Sequence, residues 1–458
     1  MTTLSHLDAA SLASTSEAAG EPTWLVERRR IAADRFGGQA WPDSRTDEFW
    51  RSTPFDVRFD VERPIATAGT VASSDPVDGV LAGVEGGGVQ VTIVDGVLTS
   101  IVQHPSAEAA GVVVSDLRTA AAEQTALVEE HLGRLTTSAE VGTGSDEDRT
   151  ITLNDAAWTG GVFIHVPAEV ELGVPISVRM HVTQPGAHLP RVLAVIGRHA
   201  QATLYLEHTS VEGVSALVDE VAEIVVQDGA KLRLATLQDW SDGIEHLGLQ
   251  KCEVHRDANV LALAFTTGGT TVRLRPEFDL VGPGAEVRPL GVYMASDGQW
   301  FDLQPYVRHI APRASSDVLF KGALQGESRT VFRGNVFVHR DAVGTATDEN
   351  NRSLILTEGA RADATPFLEI ECSDITAGHG SATGQIDARH LYYLQARGID
   401  RDTALRMIVT GYFTEILEEA DLPGVTDRAI AIIERRIAAA DLSAVQVNDL
   451  NLREEVEA

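Results

Sequence analysis

A mainly β fold, a parallel β-helix flanked by helical segments, is what this sequence predicts, and three observations predict it. Short runs in the middle of the chain alternate apolar and polar residues, as in Ala202-Thr203-Leu204-Tyr205-Leu206-Glu207 and Lys231-Leu232-Arg233-Leu234-Ala235-Thr236-Leu237. A small turn pair recurs at one phase: His199-Ala200, Gly229-Ala230, Asp257-Ala258, Gly284-Ala285, Ala314-Ser315 and Asp341-Ala342. Its alanines lie 30, 28, 27, 29 and 28 residues apart. After about Asp387 the apolar spacing changes to that of a helix.

Alternation puts one face of each strand in a core and the other outside. A coil of about 28 residues cannot bury its inner face alone, so successive coils must stack. A β-sandwich would call for regular two-residue hairpin signals. Asn-Gly is absent, but Asp-Gly occurs at Asp228-Gly229, Asp242-Gly243 and Asp297-Gly298, so this argument only leans toward the helix. Gly359-Ala360 follows the last regular pair after only 18 residues, which marks the final coil as altered.

In chain order, residues 1–22 are rich in Ser, Thr and Ala and are expected to be a disordered tail. Residues 23–150 form a helical and mixed region. Within it Trp24 to Phe36 reads as a helix stopped by Gly37-Gly38, Phe49 and Trp50 read as exposed loop aromatics, and Ala120 to Leu135 reads as a helix. Polar residues from Thr136 to Arg149 read as a linker. The β-helix core is placed at 151–386 and a helical domain at 387–458. In that domain Leu405, Ile408, Val409, Tyr412, Phe413 and Ile416 fall on one helix face, with Asp402 placed to cap it. Pro423-Gly424 interrupts, Thr426 caps a second helix, and Ile430, Ile433 and Ile437 form its stripe.

The chain has 458 residues and a formal charge of −30, a surface that repels phosphate backbones and argues against nucleic acid as a partner. It has three lysines, so nearly all of its positive charge is arginine. Two cysteines, Cys252 and Cys372, make no disulfide framework. No run approaches the roughly 20 apolar residues of a membrane span, and the first 22 residues carry no export signature. A cytoplasmic protein is the expectation.

Several enzyme signatures are missing: the P-loop, His-Glu-x-x-His, Gly-x-Ser-x-Gly and Cys-x-x-Cys. One window stands out, Glu369-Ile-Glu-Cys372-Ser-Asp374-Ile-Thr-Ala-Gly378-His379-Gly380. Imidazole and thiolate are natural ligands for iron, so His379 is a candidate metal ligand and Cys372 a weaker one. Glu371 and Asp374 are candidates either to add oxygen ligands or to orient the ring. Taken alone, a histidine between glycines is more often a turn or packing residue, and a lone cysteine more often a small buried hydrophobe.

Several segments together carry a resemblance. Lys321-Gly322-Ala323-Leu324, Phe332-Arg333-Gly334-Asn335, Asn351-Arg352-Ser353-Leu354-Ile355-Leu356, His379-Gly380-Ser381-Ala382-Thr383-Gly384-Gln385-Ile386-Asp387 and Leu391-Tyr392-Tyr393-Leu394 resemble the SufB/SufD family of iron–sulfur cluster scaffolds, from about Gly161 to the C-terminal helices. The Trp24, Trp41-Pro42 and Phe49-Trp50-Arg51 segment, and Asn351-Arg352-Ser353 where SufB-like chains read Cys-Asp-Ser, resemble the SufD side of the family. The resemblance implies a right-handed parallel β-helix whose last coils pair with a SufB-like subunit as a heterodimer. It implies a C-terminal domain that docks a SufC-like ATPase, to which the stripe Leu405, Ile408, Tyr412, Phe413 and Ile416 is assigned. It also implies a non-catalytic role, with no stably bound cofactor and a transient iron–sulfur cluster at the partner interface near His379. Some SufD-like chains carry Cys two positions before that histidine; here Ala377 stands there, which shifts any ligation by this chain onto His379. Two rival readings are a SufB-like scaffold in its own right and, from another class, a β-helix polysaccharide-active enzyme.

Overall fold

The computed structural model describes residues 16–66, 79–137, 148–439 and 442–448. Most of the tail expectation and most of the linker expectation fall on residues 1–15 and 138–147, outside this set. The molecule is a β-solenoid of about eight turns with helices on its flanks. Each coil gives one strand to a first sheet, running in spatial order from Ile176–Val182 through Gln201–Ser210, Lys231–Asp239, Asn259–Thr267, Glu286–Ala295, Ser315–Leu324 and Thr345–Ile355 to Ile375–Gly384. It gives a second strand, or a broken pair, to an opposing sheet that runs from Gly160–Val166 to Arg361–Ala364 and Phe367–Ile370. Pairing between coils is parallel throughout.

The repeated turn pair is the hinge of each coil. His199, Gly229, Asp257, Gly284 and Arg313 adopt left-handed backbone, with φ between 52° and 75°. Their amides donate to the next turn, as in His199 N to Asp228 O and Gly229 N to Arg256 O. The alanine that follows points inward: Ala200, Ala230, Ala258, Ala285 and Ala314 are all buried. A turn this tight leaves room for a methyl group and little more, which is why the period is legible in alanine.

Inside the coils, apolar side chains stack in columns, and rings sit where the next coil offers a glycine. Tyr293 pairs with Gly322, and a Cβ at Gly322 would stand 1.9 Å from the Tyr293 ring. The ring is fully buried and its hydroxyl reaches Asn351 and Ser353 one coil further on. Gly322→Ala is therefore expected to cost about 1–3 kcal/mol through overpacking. A thermal melt checks this; a midpoint equal to that of the parent chain would show that the ring moves aside freely.

The outer face of the second sheet is covered by the N-terminal region. The helix Thr23–Gly38 lies on Arg149–Ala157, a helix buried along almost its whole length. Trp50 is buried rather than exposed: it meets Phe55 and Phe59 edge-on, and the Arg273 guanidinium lies 3.7 Å over its ring. Phe49 is half-buried beside it. The helix expected over Ala120–Leu135 is instead three short ones, Leu117–Glu123, Thr125–His131 and Arg134–Thr137. Gln124 leaves helical backbone, and Gly133 turns the chain with φ 70°.

Beneath this layer, charges on the outer sheet face are buried and paired from rung to rung. Arg191 bridges Asp155 and Glu223, Arg273 bridges Asp302, and Glu277 receives Arg275 and Arg308, with Lys251 3.8 Å away. The C-terminal helices Arg401–Ala420 and Val425–Ala438 cover the first sheet. Asp400, not Asp402, caps the former by accepting from the Thr403 amide. The latter starts from Gly424 with no side-chain cap, and the Thr426 hydroxyl donates back to Leu417 O.

Candidate functional site

The two ends of the solenoid differ. At the start, the chain seals its own sheets: Val97–Val102 folds back antiparallel on Val89–Val94, and Val113–Asp116 runs antiparallel to Gly160–Val166. At the far end, Ile375–Gly384 pairs with Thr345–Ile355 on one side only, and among the described residues no strand takes its other edge. An edge of this kind is a row of unsatisfied amides and carbonyls. Ile370, which continues the inward column of Leu280, His309 and Val338, is 42 % exposed here, and Phe367 on the outer face is 46 % exposed.

His379 lies in the middle of that last strand and is exposed. It is a strand residue rather than a turn residue. Its neighbours Gly378 and Gly380 make room for the coil beneath: a Cβ on them would stand 2.7 Å from Asp348 Oδ1 and 2.8 Å from Asn350 Oδ1. Directly below His379 in register is Glu349, which follows Val318 in the same inward column. Glu349 is 1 % exposed, and neither carboxyl oxygen has a hydrogen-bond partner. The carboxyl is seated against Gly334, where a Cβ would fall 1.2 Å from Oε1. Burial, helped by Asp348, pushes Glu349 up to about 8. Sequence reading missed this residue, although a signal existed: it stands one coil period before His379.

Cys372 is half-buried in the turn before the last strand, packing with Val336, Val338, Ala342 and Leu368 as a small hydrophobe. Glu371 is turned toward Arg340 at 3.8 Å. Among the described residues, neither cysteine nor His379 belongs to a group of three converging ligand atoms. The helical stripe is internal: Leu405, Phe413 and Ile416 are buried, and Ile408 and Tyr412 are half-buried against the same core, which includes Tyr205, Phe265 and Val292 of the first sheet. These five residues are therefore not a free docking face. Among the described residues of this domain, the large apolar side chains left exposed are Tyr392, Tyr393 and Met407, at 68 %, 55 % and 49 %.

One converging group does occur inside the bore. His208, Glu220 and His246 bring a ligand atom each within 4.8 Å of one another, all buried. The Trp240 indole N–H donates to His246 Nδ1 at 3.2 Å, so the neutral ring keeps its proton on Nε2, which faces Glu220 at 3.4 Å. A ring committed in this way has no lone pair for a metal. The trio is an electrostatic knot instead. Burial would raise Glu220, but the two imidazoles outweigh it and lower the carboxyl to about 2, while burial lowers His246.

The family model described as SUF system FeS cluster assembly, SufBD core domain, matches residues 179–412, and that of the SufBD protein N-terminal region matches residues 13–178. The chain belongs to the SufBD family. Among its relatives, an iron–sulfur cluster assembly SufBD family protein of Mycobacterium leprae is 34 % identical over 307 residues, covering 65 % of this chain and 77 % of that protein. The corresponding protein of Mycobacterium tuberculosis is 35 % identical, covering 64 % and 75 %. The iron–sulfur cluster assembly protein SufD of Bacillus subtilis is 27 % identical, covering 71 % and 74 %.

Within the SufBD framework, the residues that carried the resemblance have separate physical tasks. Lys321 is buried and fastens the C-terminal domain: its ammonium meets Glu415 and Tyr412 O and lies 5.0 Å over the Tyr412 ring. Tyr412 answers by donating to Arg352 O at 2.8 Å. Gly322 receives the Tyr293 ring, and Asn351 accepts its hydroxyl inside the bore. By contrast with Lys321 and Asn351, His379 is exposed. No helix among the described residues is long and apolar enough to cross a membrane.

Proposed function

We propose that this chain is the SufD-like, non-catalytic scaffold subunit of a SufBCD-type assembly in the cytoplasm. Its open last coil pairs with a SufB-like subunit, its C-terminal domain docks a SufC-like ATPase, and His379 handles iron or sulfide at the covered edge. The observation that carries this reading is the asymmetry of the rod. One end is closed by the chain's own antiparallel strands, while the other presents an unpaired strand, Ile375–Gly384, with His379 at its centre. A second strand laid along that edge satisfies its amides, and a partner that also covers the end of the opposing sheet shields Ile370. Docking of the ATPase belongs to the exposed Tyr392, Tyr393 and Met407 rather than to the buried stripe. At the position where SufB-like chains carry a cysteine, Asn351 is tied to Tyr293, which favours the SufD-like role over a SufB-like one.

Co-expression with candidate SufB-like and SufC-like chains, followed by weighing the purified assembly, tests the reading. A heteromer that contains all three is expected, and a chain that always purifies alone sinks it. His379→Ala in that assembly is expected to lower iron and sulfide content at least several-fold while the mass stays unchanged. Normal cluster content would remove His379 from the mechanism and leave the scaffold role standing.

A further inference from the structure

We propose that Glu349 is the carboxylate partner of His379, and that the two together take a divalent first-row cation of the Fe2+ type at the open end, with Gly334 as the notch that stores the carboxyl between loadings. This rests on the reading that the open end handles iron, and adds to it a ligand on the coil below.

The geometry begins with register. Glu349 and His379 are parallel neighbours on the same inward column. Adjacent strands lie about 4.8 Å apart, so a glutamate side chain has the reach to meet an ion held by the imidazole one rung above. Burial supplies the second observation. A carboxyl group shut away from water is normally paired or hydrogen-bonded, because leaving it bare is costly. Glu349 is 1 % exposed with both oxygens unpartnered. Structural roles do not account for such a group, since Leu or Met would fill the space without the penalty. An arriving cation does account for it. Imidazole plus carboxylate is a donor set that suits Fe2+, and the charge that is unfavourable in the empty bore becomes attractive beside a metal.

The third observation is the notch. Gly334 lies within the Phe332-Arg333-Gly334-Asn335 segment, and any side chain there would occupy the place of Glu349 Oε1. Room has been left for this carboxyl at the cost of a glycine.

The test uses the full chain under anaerobic conditions, with Co2+ as a spectroscopic stand-in for Fe2+. The parent chain is expected to bind one Co2+ with visible absorption bands. Glu349→Gln, which keeps the shape, is expected to weaken binding at least tenfold, as is His379→Ala. Glu358→Gln, an exposed carboxylate in the turn after Thr345–Ile355, should leave binding unchanged. Should Glu349→Gln fold poorly by its melting curve, Glu349→Met replaces it. Parent-like Co2+ affinity in a folded Glu349 variant overturns the proposal, and so does the absence of Co2+ binding by the parent chain. Weighing the same variants with a SufB-like partner separates the two ideas. A Glu349→Gln chain that assembles normally but has lost Co2+ supports this inference, whereas a parent chain that never pairs strikes the scaffold reading instead.

Discussion

Replacing Glu277 by Ala is expected to destabilise the chain by about 3–5 kcal/mol, more than most single core truncations. Glu277 sits on the outer face of the second sheet at 1 % exposure. It receives Arg275 Nη2 at 2.7 Å and Arg308 Nη2 at 2.9 Å, with Lys251 3.8 Å away. Burial alone would raise this carboxyl; the three cations reverse that and hold it far below the usual carboxylate range. Removing it leaves positive charge in a place water cannot reach. Arg275 keeps Asp148 and Arg308 keeps Asp279, so two carboxylates remain against three cations. Glu277→Gln should cost less than Glu277→Ala but still lose the charge, and a melting midpoint within a degree of the parent chain in both variants would show the ladder to be energetically idle. The same argument explains why the N-terminal region stays on the solenoid. Asp148 and Asp155 enter the ladder from outside it, through Arg275 and Arg191, and so fasten the cover to the rod.

How much of this was legible beforehand follows from which features repeat. The turn alanines recur because each coil meets the same steric limit, so the period could be read from Ala200 to Ala342 without knowing the strand register. The helical stripe from Leu405 to Ile416 was equally plain as a pattern. Its meaning was legible in part: such a stripe is more often internal packing than interface, and the cover is the first sheet of the same chain, although the period alone does not say which residues provide it. Trp50 was misread for a related reason. An aromatic beside polar residues in a Pro-bounded loop looks exposed locally, and its cover includes residues far away in sequence, Arg273 over its ring and Leu217 and Leu247 in the same cluster. Glu349 was hidden in Asp348-Glu349-Asn350-Asn351, a run that reads as a solvated polar stretch until strand alternation assigns its odd positions inward. The His208, Glu220 and His246 knot has no motif at all, since its members come from three strands on two sheets.

That knot sets the second large expectation, a loss of stability in acid that Glu220→Gln reduces. Glu220 faces His208 from the first sheet and His246 from the next coil of its own sheet, and a small cavity beside it is lined by Thr236, Gln250 and Arg275. Arg275 is already bound to Asp148 and Glu277, so the imidazoles are what hold the Glu220 carboxyl down to about 2. Glu253 is likewise held to about 2: burial opposes this, and His255 and Arg134 outweigh it. A carboxyl lowered in the folded chain binds its proton less readily there than in the unfolded chain. Its contribution is therefore fully present above the unfolded value near 4.5 and is withdrawn as pH falls from there toward 2. By pH 3 each of these two groups has given up about 2 kcal/mol. His246 acts in the same direction from a higher pH, since a buried ring that prefers neutrality resists the proton the unfolded chain takes up near 6.5. Melting curves between pH 7 and pH 3 should therefore fall steeply for the parent chain. Glu220→Gln should start lower at pH 7, where it has lost the favourable charge, and fall less on acidification, so that the two curves converge. Curves that run parallel over this range would mean that the Glu220 carboxylate carries no net weight in the fold, and that the bore tolerates its polar trio for reasons of shape alone.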